Sequence, residues 1–129
     1  MGRELKRILY VEDESDIQTI TAMALEAVGG FSVVSCSSGA EALAAAPAAN
    51  ADLILLDVMM PGMDGLATLN ALRGLSQTAA TPVIFMTAKV QAGEIQHYLG
   101  LGVAGVVAKP FDPMTLSAQI GEIWRNVSG

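Results

Sequence analysis

Along this chain the hydrophobic pattern switches between two rhythms, and it does so five times. Short aliphatic or β-branched runs at Arg7–Val11, 31–36, 52–56, 82–86 and Gly105–Ala108 are bounded by turn residues and read as strands. Near-continuous apolar runs of this kind suit a parallel sheet covered on both faces. Between them lie helical patterns. Ile17, Ile20, Thr21, Ala24 and Val28 follow the spacing of one helix face, as do Leu116, Ile120, Ile123, Trp124 and Val127. The middle helices are predicted to start near Ala40, Leu66 and Val90. Ser38 and Glu41 have capping-box spacing, Asp64 is placed to cap the third helix, and Asp112-Pro113 reads as an N-cap followed by proline in the first turn. Gly29-Gly30, Gly100 and Gly102 mark helix ends, and the alanine-rich stretch 44–51 is a place to fray. The pattern predicts one α/β domain over residues 1–129, a (βα)5 three-layer sandwich. It leaves the strand order open.

Composition narrows the function. A chain of 129 residues, 52% hydrophobic and 16% charged, is one compact domain with a sizeable core. No run approaches the roughly 18 apolar residues of a membrane span. The start lacks a signal peptide's apolar stretch, and Lys6 stands where myristoylation of Gly2 wants Ser or Thr. The single cysteine, Cys36, excludes an internal disulfide and fits a reducing cytoplasm; it reads as a small packed residue at a strand end. A net charge of −6 with scattered basic residues argues against a nucleic-acid binder.

The chemistry sits where the strands stop. Leu53-Ile54-Leu55-Leu56 delivers Asp57 to a Pro/Gly-punctuated loop, and a charge placed there is costly unless it has partners or work. The first strand ends in Glu12-Asp13-Glu14, the fourth in Thr87-Ala88-Lys89 and the fifth in Lys109-Pro110. In a parallel sheet these ends share one edge, so Glu12, Asp13, Asp57, Thr87 and Lys109 converge beside the cleft where such folds bind ligands. Three close carboxylates call for a divalent cation. All-oxygen donors suit Mg2+, and the absence of His or Cys nearby points away from zinc. A carboxylate nucleophile, a metal, a lysine and a hydroxyl are what phosphoryl transfer needs. Each element alone has a bland reading as a solvated loop, a capping residue or a turn. Their conjunction, in order and at strand ends, carries the functional one.

With Val11-Glu12-Asp13-Glu14, Leu56-Asp57-Val58-Met59-Met60-Pro61-Gly62-Met63-Asp64-Gly65, Met86-Thr87-Ala88 and Lys109-Pro110-Phe111, the chain resembles a response-regulator receiver domain of two-component signalling, of the single-domain, chemotaxis-regulator-like kind. The resemblance covers nearly the whole chain and implies a flavodoxin-like doubly wound sheet in order 2-1-3-4-5. It implies that Asp57 accepts phosphate from a phosphohistidine on a sensor histidine kinase or histidine phosphotransfer protein. Asp13, Asp57 and the Met59 carbonyl would hold Mg2+, with Glu12 binding directly or through water. Thr87 and Lys109 would bind the phosphoryl group, and the Lys109–Pro110 bond would be cis. The signal would leave through a face built from the fourth helix, fifth strand and fifth helix, or the phosphate would be passed onward. Such a protein is a signalling phosphoacceptor rather than an enzyme, cytoplasmic, a monomer or weak homodimer, with no direct nucleic-acid binding and no membrane insertion.

One residue departs from the family pattern. Val106 stands where an aromatic ring is usual, three residues before the lysine, and predicts a weaker or more graded switch; Tyr98 is the alternative reporter, although a half-buried structural tyrosine is the simpler reading. Met59 and Lys89 occupy the variable positions beside the phosphoryl site, and apolar Met59 predicts slow loss of phosphate. Met23, with Thr19, Ala22 and Glu26 on the outer face of the first helix, is placed to meet the histidine-bearing partner. His97 reads as a solvent-facing residue. A haloacid-dehalogenase-type phosphatase would need a second acid where Met59 stands, and a flavodoxin would need a phosphate cradle where Glu12-Asp13-Glu14 would repel it. The runner-up is a phosphorylation-independent interaction module of the same fold. The expectation from the chain end is that the protein acts alone or is cut from a longer one.

Overall fold

The computed structural model describes residues 4–60 and 62–128. The reading at Gly2 and the loop position of Pro61 lie outside the described residues. Five strands alternate with five helices: β1 Arg7–Val11, α1 Ser15–Ala27, β2 Ser32–Cys36, α2 Gly39–Ala49, β3 Leu53–Asp57, α3 Gly65–Arg73, β4 Val83–Thr87, α4 Ala92–Gly100, β5 Gly105–Ala108 and α5 Leu116–Ser128. The strands form one parallel sheet in the order β2-β1-β3-β4-β5. The predicted fold is therefore observed, and so is the strand order that the resemblance implied.

Burial follows from position in the sheet. The central strands β3 and β4 are buried at every residue, while the edge strands β2 and β5 are only partly buried. Successive side chains on a strand point to opposite faces. One set, with Leu9, Ile54, Leu56, Val83 and Phe85, packs with Ala42, Ala46, Leu69, Leu72 and Tyr98 of α2, α3 and α4. The other, with Ile8, Tyr10, Leu53, Leu55, Ile84 and Met86, packs with Leu25, Leu116, Ile120 and Trp124 of α1 and α5.

Several boundaries differ from the sequence reading. β2, β3 and β4 each begin one residue later than expected, and the pairing of Asp57 with Met86 and of Thr87 with Ala108 draws both candidate positions into the ladder. On α1 the core face is Thr21, Ala24 and Leu25, whereas Ile20 and Val28 are about half exposed. The apolar band on α1 is broader than the stripe that meets the sheet, so periodicity could not locate its edge. α4 begins at Ala92 rather than Val90. α5 begins at Leu116: Asp112 does cap, its Oδ1 accepting from the Met114 N–H at 2.9 Å, but it closes a turn that precedes the regular helix. The alanine-rich segment stays helical to Ala49, with Pro47 inside it, and ends at Asn50 in the left-handed region. Asp64 caps α3 as expected, accepting from the Ala67 N–H at 2.9 Å. Ser38 caps α2 by accepting from the Glu41 N–H, and the Glu41 carboxylate reaches back to the N–H of Ser37.

Candidate functional site

Strand parity builds the site. Glu12 follows Tyr10 on the α1/α5 side, Asp57 follows Leu55, and Lys109 follows Val107. All three extend the same period-2 rows at the C-terminal edge of the sheet. Thr87 has the opposite parity, that of Phe85.

The three charged groups meet. The Lys109 Nζ lies 2.8 Å from Glu12 Oε1 and 3.1 Å from Asp57 Oδ1. Glu12 is fully buried and Asp57 is 2% exposed, so these are interior ion pairs. Breaking one by removing a partner costs far more than losing a surface bridge. The Met59 N–H also points at Asp57 Oδ1, at 3.3 Å, and the Glu14 N–H at Glu12 Oε2, at 3.3 Å. Glu12, Asp13 and Asp57 each offer a carboxylate oxygen, and these oxygens lie within 4.8 Å of one another. Three carboxylates against one ammonium leave a net negative pocket of hard oxygen donors, which fits a hard divalent cation. Thr87 is buried at the end of β4, and its Oγ1 accepts from the Lys89 N–H at 3.0 Å. The Lys109–Pro110 bond is cis.

The electrostatics follow from burial and crowding. Burial, then the neighbouring Glu12 carboxylate, push the Asp57 pKa up to about 6, against the pull of Lys109. Burial also disfavours the Lys109 ammonium, but Glu12 and Asp57 together outweigh it and hold its pKa above the ordinary lysine value. Lys109 thus serves as the resident counter-ion of the cluster.

Sequence reasoning missed the part played by four residues. Gln18, inside the helical pattern of α1, donates its amide to the carbonyls of Glu12 at 3.0 Å and Cys36 at 3.1 Å, tying the acidic loop to the end of β2. Gly65 lets α3 start directly against β3: a Cβ there would lie 2.6 Å from the Val58 Cα and 2.7 Å from the Asp57 carbonyl oxygen. Its only sequence signal is a glycine just after a capping aspartate. The Tyr10 and Thr21 hydroxyls are buried on the Glu12 side of the sheet. Other expected positions are exposed or line a neighbouring cleft. Met59 is 61% exposed, Met23 and His97 are exposed, and Lys89 lines a cleft of about 680 Å³ with Met59, Leu66, His97 and Tyr98. Tyr98 is buried rather than half-buried, its ring edge-on to Phe85 at 5.4 Å. Val106 packs partly buried against the same cluster.

Known proteins share both the sequence and the shape. The family described as "Response regulator receiver domain" matches residues 8–121. The alkaline phosphatase synthesis transcriptional regulatory protein PhoP of Bacillus subtilis is 38% identical over 120 residues, 93% of this chain and 49% of that protein. The transcriptional regulatory protein CpxR of Escherichia coli K12 is 39% identical over 123 residues, 94% of this chain and 50% of that protein. The chain thus spans about half the length of these relatives. Among solved structures, the chemotaxis response regulator CheY4 of Vibrio cholerae superposes with a TM-score of 0.84 at 32% identity, covering 93% of this chain and 99% of that one. A response regulator from Desulfuromonas acetoxidans gives 0.82 at 30% identity, covering 95% and 98%. With its sheet order, its acidic cluster and these likenesses, the chain belongs to the response regulator receiver domain family.

Proposed function

We propose that this domain is the phosphoacceptor of a His–Asp relay, with Asp57 as the residue that takes the phosphoryl group. The observation that carries this reading is the Asp57 carboxylate itself, 2% exposed, within a cluster of three acids and 3.1 Å from Lys109. A structural role would call for dedicated donors. Asp57 instead has a lysine shared with Glu12 and one long backbone contact.

In this reading an Asp57 oxygen attacks phosphorus, the bond to the donor imidazole nitrogen breaks, and the departing nitrogen keeps the electron pair. Glu12, Asp13, Asp57 and the Met59 carbonyl would hold Mg2+, which when bound supplies charge neutralisation at the transferring oxygens. Lys109 leaves one of its carboxylates to take a phosphoryl oxygen, and Thr87 donates its hydroxyl to another. The new group adds about −1.5 to −2 charge, which draws Thr87 and the loop that follows it. That bias passes to a bistable face of α4, β5 and α5, or the phosphate moves onward to another protein. The domain turns over no separate substrate and acts by partner binding.

The donor partner is a sensor kinase or a phosphotransfer protein. An apolar groove of about 370 Å³ lined by Ile17, Ile20, Lys109, Pro110, Phe111 and Pro113 supports docking at this end of α1, and half-exposed Ile20 joins Met23 as a contact for it. Among the described residues no helix is long and apolar enough to cross a membrane.

The test is intact-mass measurement after incubation with acetyl phosphate and Mg2+. A single phosphate adduct on the native chain, absent in Asp57→Asn and without chelatable metal, is the expected result. No adduct under any condition would favour the phosphorylation-independent interaction module, a reading that Val106 in place of a ring keeps in play.

A further inference from the structure

The buried end of β1 carries a feature that the phosphoacceptor chemistry does not use. Tyr10 and Thr21 are fully buried, and neither hydroxyl has a hydrogen-bond partner among the described residues. A buried hydroxyl without a partner is destabilising, and phenylalanine would fill the same volume without that cost. Thr21 lies on the core face of α1, and a helical threonine there commonly bonds back to the preceding turn. This one does not. Thr21 and Glu12 are polar side chains near enough to act on the Tyr10 hydroxyl, but neither reaches hydrogen-bond geometry with it. Tyr10 and Glu12, two residues apart on one strand row, point to the same side of the sheet.

The surroundings of Glu12 say when such a donor is wanted. Glu12 is fully buried, so water cannot replace a lost partner. Its Oε1 is held by Lys109 at 2.8 Å, and its Oε2 by the Glu14 N–H at 3.3 Å. On the reading of the site given above, Lys109 leaves a carboxylate to take a phosphoryl oxygen, and a cation held by Glu12 competes with the ammonium for the same oxygens. Once Lys109 withdraws, the Glu14 N–H is the one donor left to Glu12 among the described residues, and a second donor is wanted to orient the carboxylate.

We propose that Tyr10 is a positioning residue for the metal-loaded site: its hydroxyl, held by the Thr21 hydroxyl, donates to Glu12 when Lys109 lets go. Thr21 Oγ1–H gives to the Tyr10 oxygen, and Tyr10 O–H gives to the carboxylate, so both buried hydroxyls are used in the state in which Lys109 is elsewhere. A phenol is protonated at neutral pH and so is available as that donor. The inference rests on Glu12 taking part in the metal site, and Tyr10 itself touches neither cation nor phosphoryl group.

The experiment is calorimetric titration of the unphosphorylated full chain with Mg2+, together with thermal unfolding in the absence of metal. Tyr10→Phe is expected to bind Mg2+ roughly tenfold more weakly, as loss of a group that orients a ligand does, while its metal-free midpoint is unchanged or higher. Thr21→Val is expected to show a smaller loss in the same direction. In a Glu12→Gln background the Tyr10→Phe change should add nothing. Native Mg2+ affinity in Tyr10→Phe, or a loss that persists undiminished in the Glu12→Gln background, overturns the inference while leaving the metal site standing. Failure of the native chain to bind Mg2+ overturns both.

Discussion

Two aspartates bracket β3, and they are used in opposite ways. Asp52, just before the strand, accepts from the backbone N–H groups of Lys6 and Arg7 at 3.0 and 2.9 Å through one oxygen. It fastens the start of β1 to the start of β3. Asp57, the last residue of the strand, is far more buried, yet its partners are a shared lysine and one backbone N–H at 3.3 Å. Backbone donors cannot leave, whereas a lysine side chain can swing. A carboxylate held by the backbone is a fastener. One held by a movable ammonium, and crowded by a second acid, is poised to exchange partners. The same residue type five positions apart thus separates a fixed contact from an exchangeable one.

The sharpest way to break the comparison is to remove each charge in turn and read phosphorylation. Asp57→Asn keeps the shape of the side chain but lacks the oxygen nucleophile, so labelling by acetyl phosphate should fall to background. If Asp57→Asn still carries a hydroxylamine-labile phosphate, the exchangeable end of β3 is not where the chemistry occurs.

The next effect is on stability. The Asp57 pKa in the folded chain is raised from 3.8 to about 6, first by burial and then by Glu12. The folded state therefore holds this proton more tightly than the unfolded chain does. The resulting stabilisation is fully present below the unfolded value and is lost as pH rises through about 6. In metal-free urea unfolding, the stability of the native chain relative to Asp57→Asn should fall between about pH 4 and pH 7, by at most ~3 kcal/mol. A difference that stays flat across that window would mean that the carboxylate is not strained by its surroundings. Adding Mg2+ at neutral pH should recover part of the loss, since a ligand of the native state stabilises it.

Gly65 tests whether the Asp57 end depends on a close backbone approach. A methyl at this position would meet the Val58 Cα and the Asp57 carbonyl, neither of which is a flexible side-chain tip. Gly65→Ala should cost about 2 kcal/mol in urea unfolding, in the range of other overpacking changes, and should slow labelling as the Asp57 carbonyl shifts. Full stability with native labelling would show that the loop yields freely.

Much of this arrangement was readable before any coordinates. Five strand runs and their polar ends placed Glu12, Asp13, Asp57, Thr87 and Lys109 at one edge, because a parallel sheet leaves little choice about where strand ends go. The unread parts depend on packing between elements. Ile20 fits the helical period of α1 as well as Leu25 does, and only the angle of the helix on the sheet buries one and exposes the other. The pairing of Lys109 with Glu12 joins residues 97 apart, and nothing local records which acid a lysine will choose. Gln18 is an ordinary polar position between apolar ones in the sequence. Tyr10 looked like any aromatic in a strand; its hydroxyl becomes informative only once both it and Thr21 are seen to be buried without partners.

The smallest effect belongs to the other end of β3. Asp52→Asn leaves an oxygen to accept from the Lys6 and Arg7 N–H groups but removes the charge that strengthens both bonds. Hydrogen bonds to a charged acceptor exceed neutral ones by about 1 kcal/mol. The expected loss in urea unfolding is therefore ~1 kcal/mol, larger in Asp52→Ala, where the two N–H groups lose their acceptor altogether. Acetyl phosphate labelling of Asp52→Asn should match the native chain in rate and extent, because the fastener lies at the opposite end of the strand from the exchangeable carboxylate. A labelling defect without a matching fall in stability would mean that the two ends communicate along β3, and that the division between holding and reacting is not drawn at the strand.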